Sequence, residues 1–212
     1  MQISKDSSTL LYVHDPMCSW CWGFARVYDE LIERLPDGVK VIRILGGLAP
    51  DSDDLMSEDM KSYLSQTWAT IQEQVPGTEF NFDYWTQCQP RRSTYPACRG
   101  VIAARQQGAE WDSIMTREIQ HAYYLYARNP SDNLTLIEVA DEIGLDRQKY
   151  EHDLVSPETQ QTLMDELAFS RKMGIQGFPS LVLVRNKKGY GIPVDHNSVA
   201  TMISAINGHL AG

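Results

Sequence analysis

Residues 10–25 read LLYVHDPMCSWCWGFA, and this stretch predicts the fold of the whole chain. It opens with the apolar run LLYV, which predicts a short strand. A turn-like HDP follows, and the motif Cys18-Ser19-Trp20-Cys21 then begins a helical pattern. A strand, a tight turn and a C-x-x-C at the start of a helix form the arrangement that dithiol redox chemistry needs.

The two cysteines of this motif occupy different positions in the predicted helix. Cys18 lies where the helix N–H groups are unpaired and the helix dipole is positive, which stabilises a thiolate. Cys21 lies one turn further in, close enough to attack a mixed disulfide formed by Cys18. We therefore predict that Cys18 is the nucleophile and that Cys21 is the resolving thiol.

The next segments complete a βαβ unit. Apolar residues recur at steps of three and four over residues 22–35, which predicts a helix, and the sequence PDG ends it. Residues 39–45, VKVIRIL, predict a second strand that is buried on both faces. A strand, a helix and a strand of these lengths should give two parallel strands with a right-handed connection.

The middle of the chain carries helical patterns and no legible strand. Residues 49–156 are therefore predicted to form a helical insertion domain, and the acidic run at residues 51–54 is predicted to cap its first helix. From residue 157 the pattern returns to a helix, two strands joined by a hairpin turn, and a closing helix. The predicted fold class is α/β, with residues 1–48 and 157–212 forming one domain around the insertion.

Composition narrows the classes of partner. The chain has 212 residues, a net charge of −9 and a pI of about 5.0, which argues against nucleic acid or an anionic membrane as a partner. No apolar run approaches the roughly 20 residues of a membrane span. The N-terminal sequence MQISKDSSTLL lacks the basic and apolar regions of a secretory signal. These features predict a cytoplasmic protein whose thiols are kept reduced.

The cysteines have other possible uses. Cys18 and Cys21 could form half of a zinc site, but Cys88 and Cys98 lack the spacing and the paired His residues that the other half would need, so we predict no metal. Cys88 and Cys98 could form a second redox pair or a structural disulfide. We favour two unlinked thiols, with Cys98 on a helix face and Cys88 in a loop.

Three motifs together resemble a known family. DPMCSWCWGF, STYPACRG and GIQGFPSLVLV are similar to segments of the cytoplasmic DsbA-family proteins that are described as predicted disulfide isomerases. FrnE-like proteins are related to these, as are the hydroxychromene-carboxylate isomerases and kappa-class glutathione transferases. The resemblance covers nearly the whole chain, and it implies a thioredoxin-like fold with a helical insertion like that of DsbA.

The resemblance also implies roles for single residues. It makes Cys18 the exposed nucleophile and Cys21 the buried resolving thiol. Pro179 matches the family's cis-proline, whose neighbouring backbone faces the C-x-x-C and pairs with extended substrate. Phe178 should then form one wall of a substrate groove, opposite Trp20, although Phe178 in the core is the alternative.

This chain departs from the family pattern in three places. The dipeptide between the cysteines is Ser19-Trp20, and Phe178 precedes the proline where smaller residues are usual. The first strand carries no Asp or Glu, so the buried carboxylate of many relatives has no counterpart there. His14 or Asp15 is the candidate substitute.

The leading functional hypothesis is a protein-disulfide oxidoreductase or isomerase without a bound cofactor. Its partners would be protein or small thiol and disulfide substrates, with glutathione as a candidate co-substrate. A glutathione-dependent isomerase or transferase of the kappa-like group is the alternative, but such relatives typically have Ser where Cys18 stands. A third hypothesis is a redox-sensing module that binds a client through the insertion.

Overall fold

The computed structural model describes residues 8–211, so the predicted absence of a signal at the N-terminus falls largely outside the described residues. The described chain forms a small β-sheet and many α-helices. In chain order the elements are β1 (Ser8–His14), α1 (Ser19–Glu33), β2 (Val39–Leu45), α2 (Glu58–Gln74), α3 (Tyr84–Gln87), α4 (Tyr95–Arg105), α5 (Trp111–Tyr124), α6 (Asn133–Glu142), α7 (Arg147–Leu154), α8 (Pro157–Lys172), β3 (Ser180–Arg185), β4 (Lys188–Ile192) and α9 (Ala200–Ala211).

The four strands form one sheet in the order β2-β1-β3-β4. β1 and β2 are parallel, with Leu11 opposite Ile42, which confirms the predicted βαβ unit. β3 returns antiparallel to β1, with Val182 opposite Leu11, and β4 forms a hairpin with β3. Because β1 lies between its sequence neighbour β2 and the distant β3, the strand that leads into the C-x-x-C is an inner strand of the sheet.

Alternate residues of β1 enter two different apolar layers. Leu10 and Tyr12 pack with residues of α1 and α9 on one face of the sheet. Leu11 and Val13 pack on the opposite face, where Phe169 of α8 joins them. This alternation follows from the two-residue period of a strand. It gives a sheet with helices on both faces, which confirms the predicted α/β class.

The helices between β2 and α8 enclose a third and larger apolar cluster. Its centre is α4, of which nine of the eleven residues are buried, and α4 packs against α5, α7 and α8. Small residues allow this close packing, because a Cβ added at Gly100 would lie 2.8 Å from the hydroxyl of Tyr150. The division of the chain into a core domain and an insertion at residues 49–156 stays a prediction.

One predicted helix start and one predicted helix cap are wrong. α1 begins at Ser19, three residues before the predicted start at Trp22, so the C-x-x-C spans its N-cap and first turn. α2 is capped by Ser57, whose hydroxyl accepts the N–H of Met60, and not by the acidic run. Asp51 of that run instead forms an ion pair with Arg99.

A network of charged side chains fastens the helices to β2. Asp112 of α5 accepts hydrogen bonds from Arg43 of β2 and from Arg105 of α4. Arg105 also pairs with Glu166 of α8, and the other oxygen of Glu166 accepts the N–H of Leu45 at 2.7 Å. The network therefore joins β2, α4, α5 and α8 through groups that are largely buried.

Asp112→Asn should destabilise the fold by about 3 kcal/mol, because removing one partner of a buried pair leaves the other charge unpaired. Urea unfolding measures this change. Asp141→Asn is the matched control, because Asp141 pairs with Arg147 where both side chains are about half exposed. That control should cost less than about 1 kcal/mol. Equal losses in the two variants would show that the buried network contributes no more than a surface pair.

Candidate active site

Cys18 occupies the N-cap position of α1, in an extended backbone conformation. Its Sγ accepts the backbone N–H of Cys21 at 3.3 Å, which satisfies one of the N–H groups that the first turn leaves unpaired. Sulfur is an unusual cap, because Ser, Thr, Asp and Asn are the preferred residues there. The helix N-terminus is thereby directed at the thiol, as the sequence predicted.

The second neighbour of Cys18 comes from the far end of the chain. The Cys18 thiol donates to the backbone carbonyl of Phe178 at 3.4 Å. The Phe178–Pro179 peptide bond is cis, and it lies directly before β3. The structure thus brings together the two motifs that the resemblance paired. Cys18 is only 5% exposed and is less open than the resemblance implied, because this backbone and α1 cover it.

Cys21 lies behind Cys18 and is fully buried. Burial raises the pKa of the Cys21 thiol well above its usual value, and the neighbouring Cys18 raises it further. A hydrogen bond with the backbone of Asp15 acts in the opposite direction. Cys21 is therefore a neutral thiol at physiological pH, close to Cys18 and shielded from solvent.

Asp15 is the carboxylate that joins the segment between β1 and α1 to the rest of the protein. It is fully buried, and Oδ1 accepts the N–H of Met17 at 2.7 Å. Oδ2 accepts the N–H of Leu48 at 2.7 Å and the hydroxyl of Thr94 at 2.6 Å. The Cys98 thiol donates to the same oxygen at 3.7 Å. Burial raises the pKa of Asp15, and these hydrogen bonds limit the increase.

His14, the other candidate substitute, is fully buried beside Tyr12, and the two rings stack with centroids 4.7 Å apart. Neither ring nitrogen has a hydrogen-bond partner in residues 8–211. Burial lowers the pKa of His14 well below its usual value, and the charges of Arg43 and Arg105 add to this. His14 is therefore neutral, and Asp15 is the candidate whose carboxylate binds the backbone between β1 and α1.

The dipeptide between the cysteines is held from two sides by residues that the sequence did not reveal. The indole N–H of Trp68 in α2 donates to Ser19 Oγ at 2.9 Å. His196 Nε2 lies 3.2 Å from the carbonyl oxygen of Trp20, and the two rings make an edge-on contact. No local sequence pattern signals contacts over such separations.

Phe178 and Trp20, the two predicted groove walls, are both half-buried. The Phe178 side chain packs towards the apolar layer that contains Val13, and its ring fills the space above Gly46. A Cβ added at Gly46 would lie 2.0 Å from this ring, so only glycine fits there. Phe178 therefore has packing contacts, and its carbonyl is the group that faces Cys18.

Comparison with known proteins agrees with this geometry. The family model described as thioredoxin matches residues 11–204. The chain belongs to the thioredoxin family. Its architecture is similar to a crystal structure of a candidate protein disulfide isomerase from Nitrosomonas europaea, with a TM-score of 0.85, 24% identity and coverage of 97% of this chain and 98% of that chain.

Other known proteins extend the comparison. The cytosolic disulfide reductase DsbM from Pseudomonas aeruginosa has a TM-score of 0.74 at 21% identity, covering 96% of this chain and 97% of that chain. Among curated proteins, the ClpXP adapter protein SpxH of Bacillus subtilis is 26% identical over 79% of this chain. The match spans 55% of SpxH, about half the length of that relative. The similarity to DsbA-like structures confirms the predicted thioredoxin-like fold and family resemblance.

The other cysteines of this thioredoxin-family chain are free thiols in the structure. Cys88 is half-buried and donates to the carbonyl of Ala127 at 2.9 Å, whereas Cys98 is buried beside Asp15. Burial raises the pKa of both thiols. Residues 8–211 contain no group of three or more His, Cys, Asp or Glu side chains arranged to hold a metal ion.

A cleft of about 710 Å³ lies between α1, β2 and α5, and its lining includes Cys21 but not Cys18. Charged side chains of both signs line it, so the cleft has no strong preference for anions or cations. They are Arg43, Arg105, Arg117, Asp29, Glu33 and Asp112.

No helix in the described part of the chain has the length and apolar character of a membrane span.

Asp15→Asn should change how stability depends on pH. The unfolded carboxyl titrates near its ordinary value of 3.8, whereas burial raises its pKa in the folded chain. The folded state therefore holds this proton more tightly, and the resulting stability is complete below the unfolded value and is lost as pH rises through the folded value. The difference in unfolding free energy, wild type minus variant, should fall with rising pH across this window.

Urea unfolding between about pH 3 and pH 7 at constant ionic strength measures this difference. Asp37→Asn is the control for the loss of one carboxylate, because Asp37 is exposed on the turn after α1. A difference for Asp15→Asn that stays constant or increases with pH would mean that the hydrogen bonds outweigh burial at this carboxyl.

Proposed function

We propose that this chain is a thiol–disulfide oxidoreductase in which Cys18 is the nucleophile and Cys21 is the resolving thiol. One observation is the main support for this proposal. Cys18 Sγ lies between the N–H of Cys21 at 3.3 Å and the carbonyl of Phe178 at 3.4 Å, while Cys21 is buried behind it. The first contact stabilises a thiolate at Cys18, because N–H groups at a helix start favour negative charge.

The reaction proceeds in two exchanges. The Cys18 thiolate attacks one sulfur of a substrate disulfide, forms a mixed disulfide and releases the other substrate sulfur as a thiolate. Cys21 then loses its proton and attacks Cys18 Sγ. This forms the Cys18–Cys21 disulfide, and the second substrate sulfur leaves as a thiolate that takes up a proton. The substrate gains two electrons, the protein loses two, and the reverse sequence oxidises substrate dithiols.

Burial supports this order of the two thiols. Because burial raises the pKa of Cys21, its thiol is a poor nucleophile in the free protein. Cys21 has no exposed surface and cannot meet a protein disulfide directly, whereas Cys18 keeps 5% exposure, so Cys21 acts after the substrate has become attached to Cys18. The chemistry needs no metal and no bound cofactor.

Substrate would bind across the backbone before β3. We propose that Pro179 and the backbone of Phe178 present an extended substrate to Cys18, with Trp20 as the opposite wall of the groove. A solved DsbM structure is described as a complex with GSH, which supports glutathione as a small thiol partner here. DsbM is also described as cytosolic, and we propose the same compartment for this chain.

A client-binding module is the second candidate, because the curated relatives are adapter proteins. Such a role needs a binding surface but not a redox pair. A variant with both Cys18→Ser and Cys21→Ser separates the two functions. It should lose all disulfide exchange if the oxidoreductase proposal is correct, and it should keep client binding if an adapter role is also present.

Cys21→Ser should accumulate mixed disulfides, and Cys18→Ser should form none. A trapped intermediate needs the attacking thiol and is released by the resolving one. Each variant is incubated with oxidised glutathione or with a protein disulfide, and adducts are counted by intact mass and on non-reducing gels. Cys88→Ser is the control, because Cys88 is half-buried and hydrogen-bonded away from the site. Equal trapping by the Cys18 and Cys21 variants would refute these roles.

Phe178→Ala should reduce kcat/KM for a peptide disulfide by about tenfold, about 1.4 kcal/mol. The ring would no longer fill the space above Gly46, so the carbonyl that faces Cys18 would lose its fixed position. Phe169→Ala is the matched control, because Phe169 packs on the same apolar layer from α8. If both variants lose similar stability and similar turnover per folded molecule, Phe178 acts only through packing.

A further inference from the structure

Ser19, the residue after Cys18, is hydrogen-bonded by a side chain from the helical segment between β2 and β3. The indole N–H of Trp68 donates to Ser19 Oγ at 2.9 Å. Trp68 is fully buried and Ser19 is half-buried, so the bond is largely removed from solvent. The bond links residues 18–21 to this helical segment through two side chains.

The direction of this N–H is fixed by the rings around it. Trp68 lies at the centre of an aromatic group whose ring centroids are within 6 Å of its own. The group consists of Phe80, Phe82, Tyr84, Trp85, Tyr123 and Tyr124. Close packing on all sides leaves the indole a single orientation. The donor is therefore preorganised towards Ser19.

Ser19 is the first residue of α1, and the first turn carries the N–H of Cys21 to Cys18 Sγ. A hydrogen bond to an ionised acceptor is stronger than one to a neutral acceptor, so this contact favours the thiolate of the reduced pair over the disulfide. Helix ends fray when nothing holds them. A bond that fixes residue 19 keeps the turn closed and keeps the Cys21 N–H directed at sulfur.

We propose that Trp68 is a positioning residue for the redox pair: by holding Ser19, it maintains the first turn of α1 and stabilises the dithiol relative to the disulfide. The inference rests on the proposed function, and it goes further by making the helical segment a determinant of the reduction potential. Trp68 makes no hydrogen bond to either sulfur, and it acts only through Ser19.

The potential is measured by equilibrating the protein with glutathione. Two glutathione molecules reduce one Cys18–Cys21 disulfide to the dithiol, and one glutathione disulfide forms. Trp68→Phe should lower this equilibrium constant about threefold, which is about 14 mV towards a more reducing pair at 29.6 mV per tenfold change. Ser19→Ala should cause the same shift. The double variant should shift no further, because the two changes remove one interaction.

Trp85→Phe is the matched control. Trp85 belongs to the same aromatic group, 4.6 Å from Trp68 between centroids, and its indole nitrogen has no hydrogen-bond partner in the described chain. This variant should keep the wild-type potential. An equal shift in the Trp85 and Trp68 variants, or additive shifts in the double variant, would overturn the proposal. A Trp68→Phe potential equal to that of wild type would do the same.

A second measurement covers the case in which Trp68→Phe does not fold. The indole N–H of Trp68 should exchange with solvent at least tenfold faster in Ser19→Ala than in wild type, measured by NMR on the reduced proteins. Faster exchange with the threefold shift supports the proposal, and the absence of either overturns it. If wild type shows no reversible Cys18–Cys21 couple, the proposed function fails as well. If wild type shows a reversible couple and the variants keep the wild-type potential, only the proposed role of Trp68 is refuted.

Discussion

The candidate active site depends on one buried carboxylate. Asp15 accepts hydrogen bonds from Met17 between β1 and α1, Leu48 after β2 and Thr94 before α4. A carboxyl group loses its hydration when it is buried, and this loss is offset only if the protein supplies donors. The three segments must therefore converge on Asp15. Their convergence places the C-x-x-C against both the sheet and the helical segment.

Around this carboxylate, the groups nearest Cys18 Sγ belong to the backbone. The N–H of Cys21 and the carbonyl of Phe178 are both main-chain groups, so their positions are set by the start of α1 and by the turn before β3. The side chains of Trp68 and His196 act one step away, on Ser19 and on the Trp20 carbonyl. The fold therefore sets the groups around Cys18 Sγ, and side chains from distant elements contact the two residues that follow it.

The sequence predicted most of the fold, because its signals there are local. β2 and α8 have the predicted bounds, since VKVIRIL is rich in β-branched residues and Pro157 marks a helix start. The predicted burial of β2 on both faces is wrong, because β2 is an edge strand in which only Ile44 and Leu45 are buried. The start of α1 was missed because apolar periodicity begins at Trp22, whereas a cysteine sulfur supplies the cap. The cap of α2 was misassigned because several residues that can cap a helix precede it, and only geometry selects Ser57.

The site was predictable only in part, for a related reason. The C-x-x-C and the proline motif are short patterns, and their meeting followed from the family resemblance. The contacts of Asp15 with Thr94 and of Trp68 with Ser19 join residues 79 and 49 positions apart. Such contacts depend on how helices pack in three dimensions, and no periodicity in one chain encodes them.

The separation of Cys18 from Phe178 by 160 residues has a consequence for biosynthesis. At about 5–20 residues per second, roughly 8–30 s pass between translation of the two residues. Throughout that interval the nascent chain carries both cysteines without β3, the strand that pairs with β1 in the finished sheet. We therefore expect the thiol pool around the ribosome to set the first oxidation state of the pair, before the folded protein can control it.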